Sequence, residues 1–272
     1  MVCPLVLMFF CESFAASLPL PELLKSHGTV LKERYSYYID FLFFKRLAEA
    51  ELSFSATGQT NLYQAELIGR TLGVAAWLTN ERTQRYTSLM ERLPDGRMRS
   101  LIYESQILKK KHNTWKDRRK RYRFDYRSNK IFQEKFREGT HYPGQVYLMP
   151  ESADPVDMLT ALYNVRLGTY GELRTGARLR VPSFSSKGLN EIIIDVLNPE
   201  DQSIKRLFPS GGSVLKVWID PEVFDSSGNA IYVWLNKSGI PEKGVIEDVI
   251  GMGDLYGYMR TGSALSFEEA LQ

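Results

Sequence analysis

The chain has 272 residues, of which 43% are hydrophobic and 25% are charged, and its formal net charge is +3. This is an ordinary globular composition; it excludes a low-complexity chain and supplies enough apolar side chains for one large β domain or two small ones. The small net charge does not by itself suggest a nucleic-acid partner, so such a partner would require a local basic patch.

An apolar run at the amino terminus has the length of a secretion-signal core. Residues 2–11, VCPLVLMFFC, are too few to cross a bilayer as a helix, and small residues follow at Ser13 and Ala15. We expect export with cleavage after Ala15, although no Lys or Arg precedes the run; the alternative is a buried amino-terminal strand or helix. No other segment is long and apolar enough to predict a membrane span.

Both cysteines, Cys3 and Cys11, fall within the predicted signal. The exported chain would therefore have no thiol for catalysis, disulfide formation or metal binding. Because Phe10 is a poor match for the residue before a lipid-modified cysteine, we predict a soluble periplasmic or secreted protein. We divide the chain into a signal peptide (1–15), a linker (16–30), a barrel-like β domain (31–262) and a carboxy-terminal tail (263–272).

Most of the remaining sequence predicts β-strands. Residues 48–56, AEAELSFSA, alternate apolar and polar side chains, which is typical of a half-buried strand, and Asp95-Gly96 predicts a hairpin turn. Many short strands separated by Gly, Asp, Asn and Pro predict a mainly β fold, either a single curled antiparallel sheet or a half-open barrel. The other predicted strands are 34–44, 85–93, 97–105, 121–127, 130–136, 177–184, 190–198, 213–221, 229–237 and 255–260.

One amphipathic helix is predicted over residues 154–168, DPVDMLTALYNVRLG. Asp154 is the expected N-cap, Pro155 the first helical residue and Gly168 the end, with an apolar stripe between them. Arg166 would interact with the helix dipole and could pair with an acidic residue across the core. We expect this helix to plug or flank the sheet.

Three segments together resemble the exported bacterial proteins of domain-of-unknown-function family 3108. They are an opening strand pair (34–54), the acidic-capped helix ending in Arg166, and closing strands with a tryptophan and a glycine-punctuated last strand (232–260). The resemblance spans residues 31–260 and implies a Gram-negative envelope protein with a curled antiparallel sheet and no defined catalytic residues; the basic stretch at 109–127 departs from it. A similarity in shape to periplasmic lipoprotein carriers, which hold acyl chains in a half-open barrel, is also expected.

No metal or cofactor site is predicted. His27, His112 and His141 have no second ligand at helical spacing and no partner cysteine. The glycines of 209–213 and 251–257 match neither a nucleophile elbow nor a dinucleotide fingerprint, and they are typical of a loop and of a turn before the last strand.

Two carboxylate pairs are candidates for acid–base chemistry. Asp154 and Asp157 are explained by helix capping, and Glu247 and Asp248 by a solvated strand. We therefore expect that the protein is not an enzyme.

The most basic part of the chain is 109–127. In RYRFDYR, a period of two predicts that Tyr122, Phe124 and Tyr126 enter the core while the arginines face solvent. Residues 109–120 are predicted to form an exposed, merely solvated loop that leads into this strand. The functional alternative is a site for anionic lipid headgroups, lipopolysaccharide phosphates or an acidic partner. Its predicted contacts are Lys116, Arg118, Arg119, Lys120, Arg121 and Arg123.

Two functions fit this sequence. The first is a non-catalytic carrier whose apolar concave sheet accepts a lipid or apolar peptide, with basic residues near the rim. The second is a structural or protein-interaction scaffold of the envelope, whose sheet interior is filled by its own side chains. Export argues against nucleic acid, so a lipid or an envelope protein is the expected partner.

Overall fold

The computed structural model describes residues 32–112, 114–151, 153–185, 188–218, 230–247 and 253–260. Within these ranges, fourteen strands form one antiparallel sheet in the order β8-β7-β6-β5-β4-β3-β2-β1-β14-β13-β12-β11-β10-β9. The predicted fold class is confirmed.

The predicted signal, linker and tail lie outside the described residues, as do His27 and Asp248. The strands are β1 (Lys32–Phe41), β2 (Phe44–Ala56), β3 (Leu62–Thr71), β4 (Thr83–Arg92), β5 (Met98–Lys111), β6 (Thr114–Asp125), β7 (Lys130–Arg137), β8 (Thr140–Leu148), β9 (Arg178–Ser185), β10 (Gly188–Leu197), β11 (Ser213–Trp218), β12 (Ile231–Leu235), β13 (Pro241–Ile246) and β14 (Leu255–Met259).

The sheet curls because its apolar residues fall on one face. In β2, Ala48, Ala50, Leu52 and Phe54 are buried, whereas the intervening polar residues are only half-buried. The same alternation continues in the neighbouring strands and produces one large core on the concave side.

The two edges of the sheet, β8 and β9, approach each other without joining. Phe184 on β9 packs edge-to-face against Tyr122, Phe124 and Tyr147, with ring centroids 5.1, 5.8 and 5.0 Å apart. Among the described strands, no backbone hydrogen-bond pairing joins β8 to β9. The architecture is therefore a curled sheet held together at its seam by aromatic side chains.

Three helices are described, whereas the sequence predicted one. They are α1 (Gly73–Thr79), α2 (Met158–Arg166) and α3 (Gln202–Lys205). The predicted helix corresponds to α2, which packs inside the curled sheet against β3, β4, β5 and β9. The next residue after its C-cap Leu167 is Gly168, at φ +73°, as expected for a helix ended by glycine.

The predicted N-cap was wrong by one turn. Asp157 caps α2 and accepts hydrogen bonds from the backbone nitrogens of Leu159 and Thr160. Residues 155–156 are extended instead, because Val156 bridges to Ser183 at the edge of β9 and exchanges backbone hydrogen bonds there with Pro182 and Phe184.

Two further predictions are corrected by hairpins. The predicted strand 34–44 is broken by a turn at Leu42 and Phe43, where Leu42 has φ +53°. The predicted loop 109–120 belongs to strands, because β5 continues to Lys111 and pairs with β6 from Thr114 onward. The basic residues of this stretch therefore occupy defined faces of the sheet.

Candidate ligand cavity

A cavity of about 500 Å³ lies inside the curled sheet, between the inner face of β5–β7 and the strands β9–β10. Its volume falls within the range of small-molecule sites. The apolar part of its wall comes from five strands and the first residue of α2. These side chains are Tyr86, Tyr103, Ile107, Phe136, Met158, Phe184 and Ile192.

Cations line one side of this cavity. Side chains alternate between the two faces of a strand, and Tyr122 of β6 faces the core. Arg118 and Lys120, four and two residues before Tyr122, therefore lie on the same face. On β7, Lys135 lies directly opposite Lys120, and Arg137 lies directly opposite Arg118. All four residues line the cavity.

Two like-charged pairs on adjacent strands disfavour folding, because charges of one sign directly opposite each other repel. Within the part of the chain that the structure describes, none of Arg118, Lys120, Lys135 and Arg137 forms an ion pair. Burial lowers the pKa of Lys120 below its ordinary value, and the charge of Lys135 lowers it further. An anion in the cavity would relieve this repulsion.

The outer face of the same hairpin is already neutralised. Arg121 Nε donates to Glu104 at 2.8 Å, and Arg119 lies 3.5 Å from the same carboxylate. Arg119 and Arg123 each stack over a phenylalanine ring at 4.4 Å. Lys116, which by the alternation of β6 shares the face of Arg118 and Lys120, is also paired and donates to Glu138 at 3.0 Å.

The six predicted contact residues therefore do not form one surface. Arg118 and Lys120 line the cavity without ion partners, and Arg119 lines it while also pairing with Glu104. Arg121 and Arg123 engage partners on the outer face, and Lys116 pairs with Glu138. Lys135 and Arg137 were missed, although their signal was present: residues 131, 133, 135 and 137 of β7 share a parity, and Ile131 and Gln133 are buried.

The tyrosines beside the cations act as neutral hydrogen-bonding groups. Burial raises the pKa of Tyr122 to about 12, against the opposing effect of the hydrogen bond from Gln133. Burial also raises the pKa of Tyr103 well above its ordinary value, and the charges of Tyr86 and Asp157 add to this shift. At neutral pH these phenols keep their protons and do not supply a base.

A separate apolar crevice of about 40 Å³ lies beneath α2. The two spaces share Met158 and Ile192 as walls. Leu162 and Val165 of α2 line the crevice from one side, and apolar residues of β9–β12 line it from the other. Met158 and Ile192 therefore stand between the cationic cavity and the apolar crevice.

The remaining candidate groups are dispersed. His112 lies in the exposed β5–β6 turn, and His141 lies 3.9 Å from Glu134 on the surface. Asp154 lies 3.6 Å from Arg97, away from the buried helix cap at Asp157. Among the described residues, no group of three or more His, Cys, Asp or Glu could hold a metal ion.

No family model matches this chain, and no curated protein matches it. The solved structures similar to this chain include two proteins of unknown function. A beta-barrel-like protein of domain-of-unknown-function family 1849 from Brucella abortus is 10% identical, with a TM-score of 0.42 over 86% of this chain and 96% of that chain. A family 1089 protein from Pseudomonas aeruginosa is 9% identical, with a TM-score of 0.23 over 89% and 98%. These scores carry no argument about function, and the resemblance to family 3108 stays a prediction.

Proposed function

We propose that this chain is a non-catalytic binding module that carries an anionic amphiphile inside its curled sheet. The observation that supports this proposal is the cross-strand pair of Lys120 and Lys135 on the wall of a cavity that also has apolar side chains such as Phe184 and Ile192. A negatively charged headgroup would lie between these lysines and make charge-assisted hydrogen bonds.

The apolar part of the ligand would occupy the opposite wall. Tyr103 and Phe184 offer aromatic surfaces, and Met158 borders both the cavity and the crevice beneath α2. Methionine has an unbranched, flexible side chain, so it can move to admit an alkyl chain. The ligand would therefore lie with its charge at β6–β7 and its tail toward β9–β12.

The alternative function, a scaffold with a side-chain-filled interior, has less support. A filled interior leaves no space of about 500 Å³ lined by unpaired cations. We also propose export to the periplasm or beyond, on the basis of the amino-terminal sequence. Nucleic acid is disfavoured as a ligand, because the unpaired cations of β6 line a cavity whereas those of the outer face are paired.

Native mass spectrometry of the purified protein tests this proposal. We expect a population carrying a bound amphiphile of one mass class, released by organic extraction. Ile192→Trp should fill the apolar wall and abolish this population, whereas Leu189→Trp, at an exposed position of the same strand, should leave it unchanged. A wild-type protein that is empty and takes up no added anionic amphiphile would exclude the proposal.

A further inference from the structure

Large apolar side chains are exposed at one end of the sheet. Phe43, in the β1–β2 turn, is 91% exposed, and Trp77 and Leu78, in α1, are 80% and 66% exposed. Trp115, beside the β5–β6 turn, is 52% exposed. Soluble proteins rarely expose so many large apolar groups together, and such patches mark contact surfaces.

These turns are neighbours in the fold. The backbone of Leu72, just before α1, donates to Leu47 of β2 at 2.7 Å. After the end of α1, the backbone carbonyl of Asn80 accepts a hydrogen bond of 2.8 Å from the backbone N–H of Lys110 in β5. The β1–β2 turn, α1 and the described residues beside the β5–β6 turn therefore form one rim, which we call the apolar rim (Leu42–Phe44, Gly73–Asn80, Lys110–His112 and Thr114–Trp115).

Helix α1 presents its apolar side outward. Val74, Trp77 and Leu78 are separated by three and four residues, so they share one face, and that face is exposed. Ala75 is the buried residue of the helix. A surface helix normally packs its apolar stripe on the core. In α1 the apolar face points away from the core, which suits contact with an apolar environment outside the protein.

The apolar rim also carries many cations. Lys45 is highly exposed and pairs with Asp40 at 2.9 Å, and Lys110 pairs with Glu81 at 2.8 Å. Lys111 is exposed beside the β5–β6 turn and has no ion pair within the described residues. Within residues 40–46, 73–81 and the described part of 109–117, basic side chains outnumber acidic ones: Lys45, Arg46, Lys109, Lys110, Lys111 and Lys116 stand against Asp40, Glu81 and Asp117.

We propose that the apolar rim docks onto the surface of an anionic lipid bilayer. Trp and Phe side chains at loop tips suit the headgroup boundary, since their rings are apolar and the indole N–H can still bond to polar groups. Lysines beside them attract anionic headgroups and extend along the apolar surface. No helix in the described ranges is long and apolar enough to cross a membrane, and the proposed contact is interfacial.

Docking would place the ligand cavity over the bilayer. Arg137 and Ser185, which line the cavity, are the last residues of β7 and β9, and both strands end on the same side of the sheet as the apolar rim. This inference goes beyond the proposed carrier function and does not depend on an occupied cavity.

Flotation of the purified protein with lipid vesicles tests the docking proposal. We expect binding to phosphatidylcholine vesicles that contain phosphatidylglycerol, with weaker binding at high salt. The double substitution Phe43→Ser/Trp77→Ser should lower partitioning about tenfold or more, because two large apolar groups no longer enter the lipid. Leu148→Ser is the matched control; Leu148 is 69% exposed but lies at the opposite end of β8, and its loss should change nothing.

Three results would overturn the proposal: no flotation of the wild type with anionic vesicles, equal flotation of the double variant, or equal loss in Leu148→Ser. A concentration-dependent dimer that the double variant abolishes would assign the rim to a second copy of this chain. Circular dichroism and the unfolding midpoint of each variant establish that it is folded. Cavity occupancy by native mass spectrometry is read separately, so failure of docking and failure of the carrier function are distinguishable.

Discussion

The guanidinium of Arg166, at the end of α2, donates two hydrogen bonds of 2.9 and 3.2 Å to the carboxylate of Glu33 in β1. Both side chains are only 1% exposed. Burial lowers the pKa of the Arg166 guanidinium, but Glu33 together with Tyr35 and Tyr163 outweighs burial, so the pKa is raised. This pair fastens the internal helix to the first described strand.

Glu33→Gln should lower the free energy of unfolding by about 3–5 kcal/mol, because it leaves a buried guanidinium without its counter-charge. Urea denaturation measures this change. The matched control is Glu172→Gln, which removes an exposed pair with Arg174 at 2.6 Å and should cost at most about 1 kcal/mol. An equal loss of unfolding free energy in the two variants would show that burial does not strengthen the contribution of the Glu33–Arg166 pair to stability.

The Asp157 carboxylate is a second buried anchor. It accepts hydrogen bonds from the hydroxyls of Ser88, Ser100 and Thr160 at 2.7, 2.6 and 2.8 Å, in addition to the two backbone bonds at the helix start. Asp157→Asn should destabilise the fold by about 3 kcal/mol or more, since several charge-assisted bonds are lost. Asp154→Asn should leave thermal unfolding nearly unchanged. If Asp154→Asn destabilised the fold more than Asp157→Asn, Asp154 would be the helix cap.

The position of this cap shows a limit of sequence reasoning. Asp154 followed by Pro155 is a good local pattern for a helix start. The chain instead remains extended through Val156, because the edge of β9 accepts it as a short parallel bridge. Such a long-range backbone contact leaves no local signal, whereas the existence of the helix, its end at Gly168 and the pairing of Arg166 were predictable.

Removing one cavity cation should stabilise the empty protein. Lys135→Gln abolishes the repulsion between the cross-strand partners Lys120 and Lys135 and should raise the free energy of unfolding by about 0.2–1 kcal/mol. The same variant should bind an anionic amphiphile more weakly. A gain in stability together with a loss in binding would identify the pair as a functional site; if Lys135→Gln destabilised the empty protein, the charges would not be in conflict.

Ligand affinity should depend on pH in the alkaline range. Burial and the neighbouring Lys135 lower the pKa of Lys120 from the ordinary 10.5. Protonated Lys120 therefore destabilises the empty fold below its folded pKa, and this cost disappears as the pH rises toward 10.5. Affinity for an anion should fall over the same interval; isothermal titration at several pH values should also detect proton uptake on binding. Affinity that stays constant up to pH 10.5 would contradict this role.

The cavity was only partly predictable from sequence. The period of two correctly placed Tyr122 and Phe124 inside, and continuing it backward would have placed Lys120 and Arg118 on the same face. The prediction of a loop at 109–120 concealed that signal. The opposing Lys135 required knowledge of the β6–β7 register, which depends on the turn after Asp125, and the apolar wall required the curl that brings β9 and β10 across the sheet.

The central claim is tested most directly by comparing two ligands with the same alkyl chain, a fatty-acid carboxylate and the corresponding neutral alcohol. Titration by intrinsic fluorescence or calorimetry should show that the carboxylate binds about tenfold more tightly or better, as expected for charge-assisted hydrogen bonds in a partly buried site. The double variant Lys120→Gln/Lys135→Gln should lose this preference, whereas Arg121→Gln on the outer face should retain it. Equal affinity for acid and alcohol in the wild type, or binding of neither, would contradict the account.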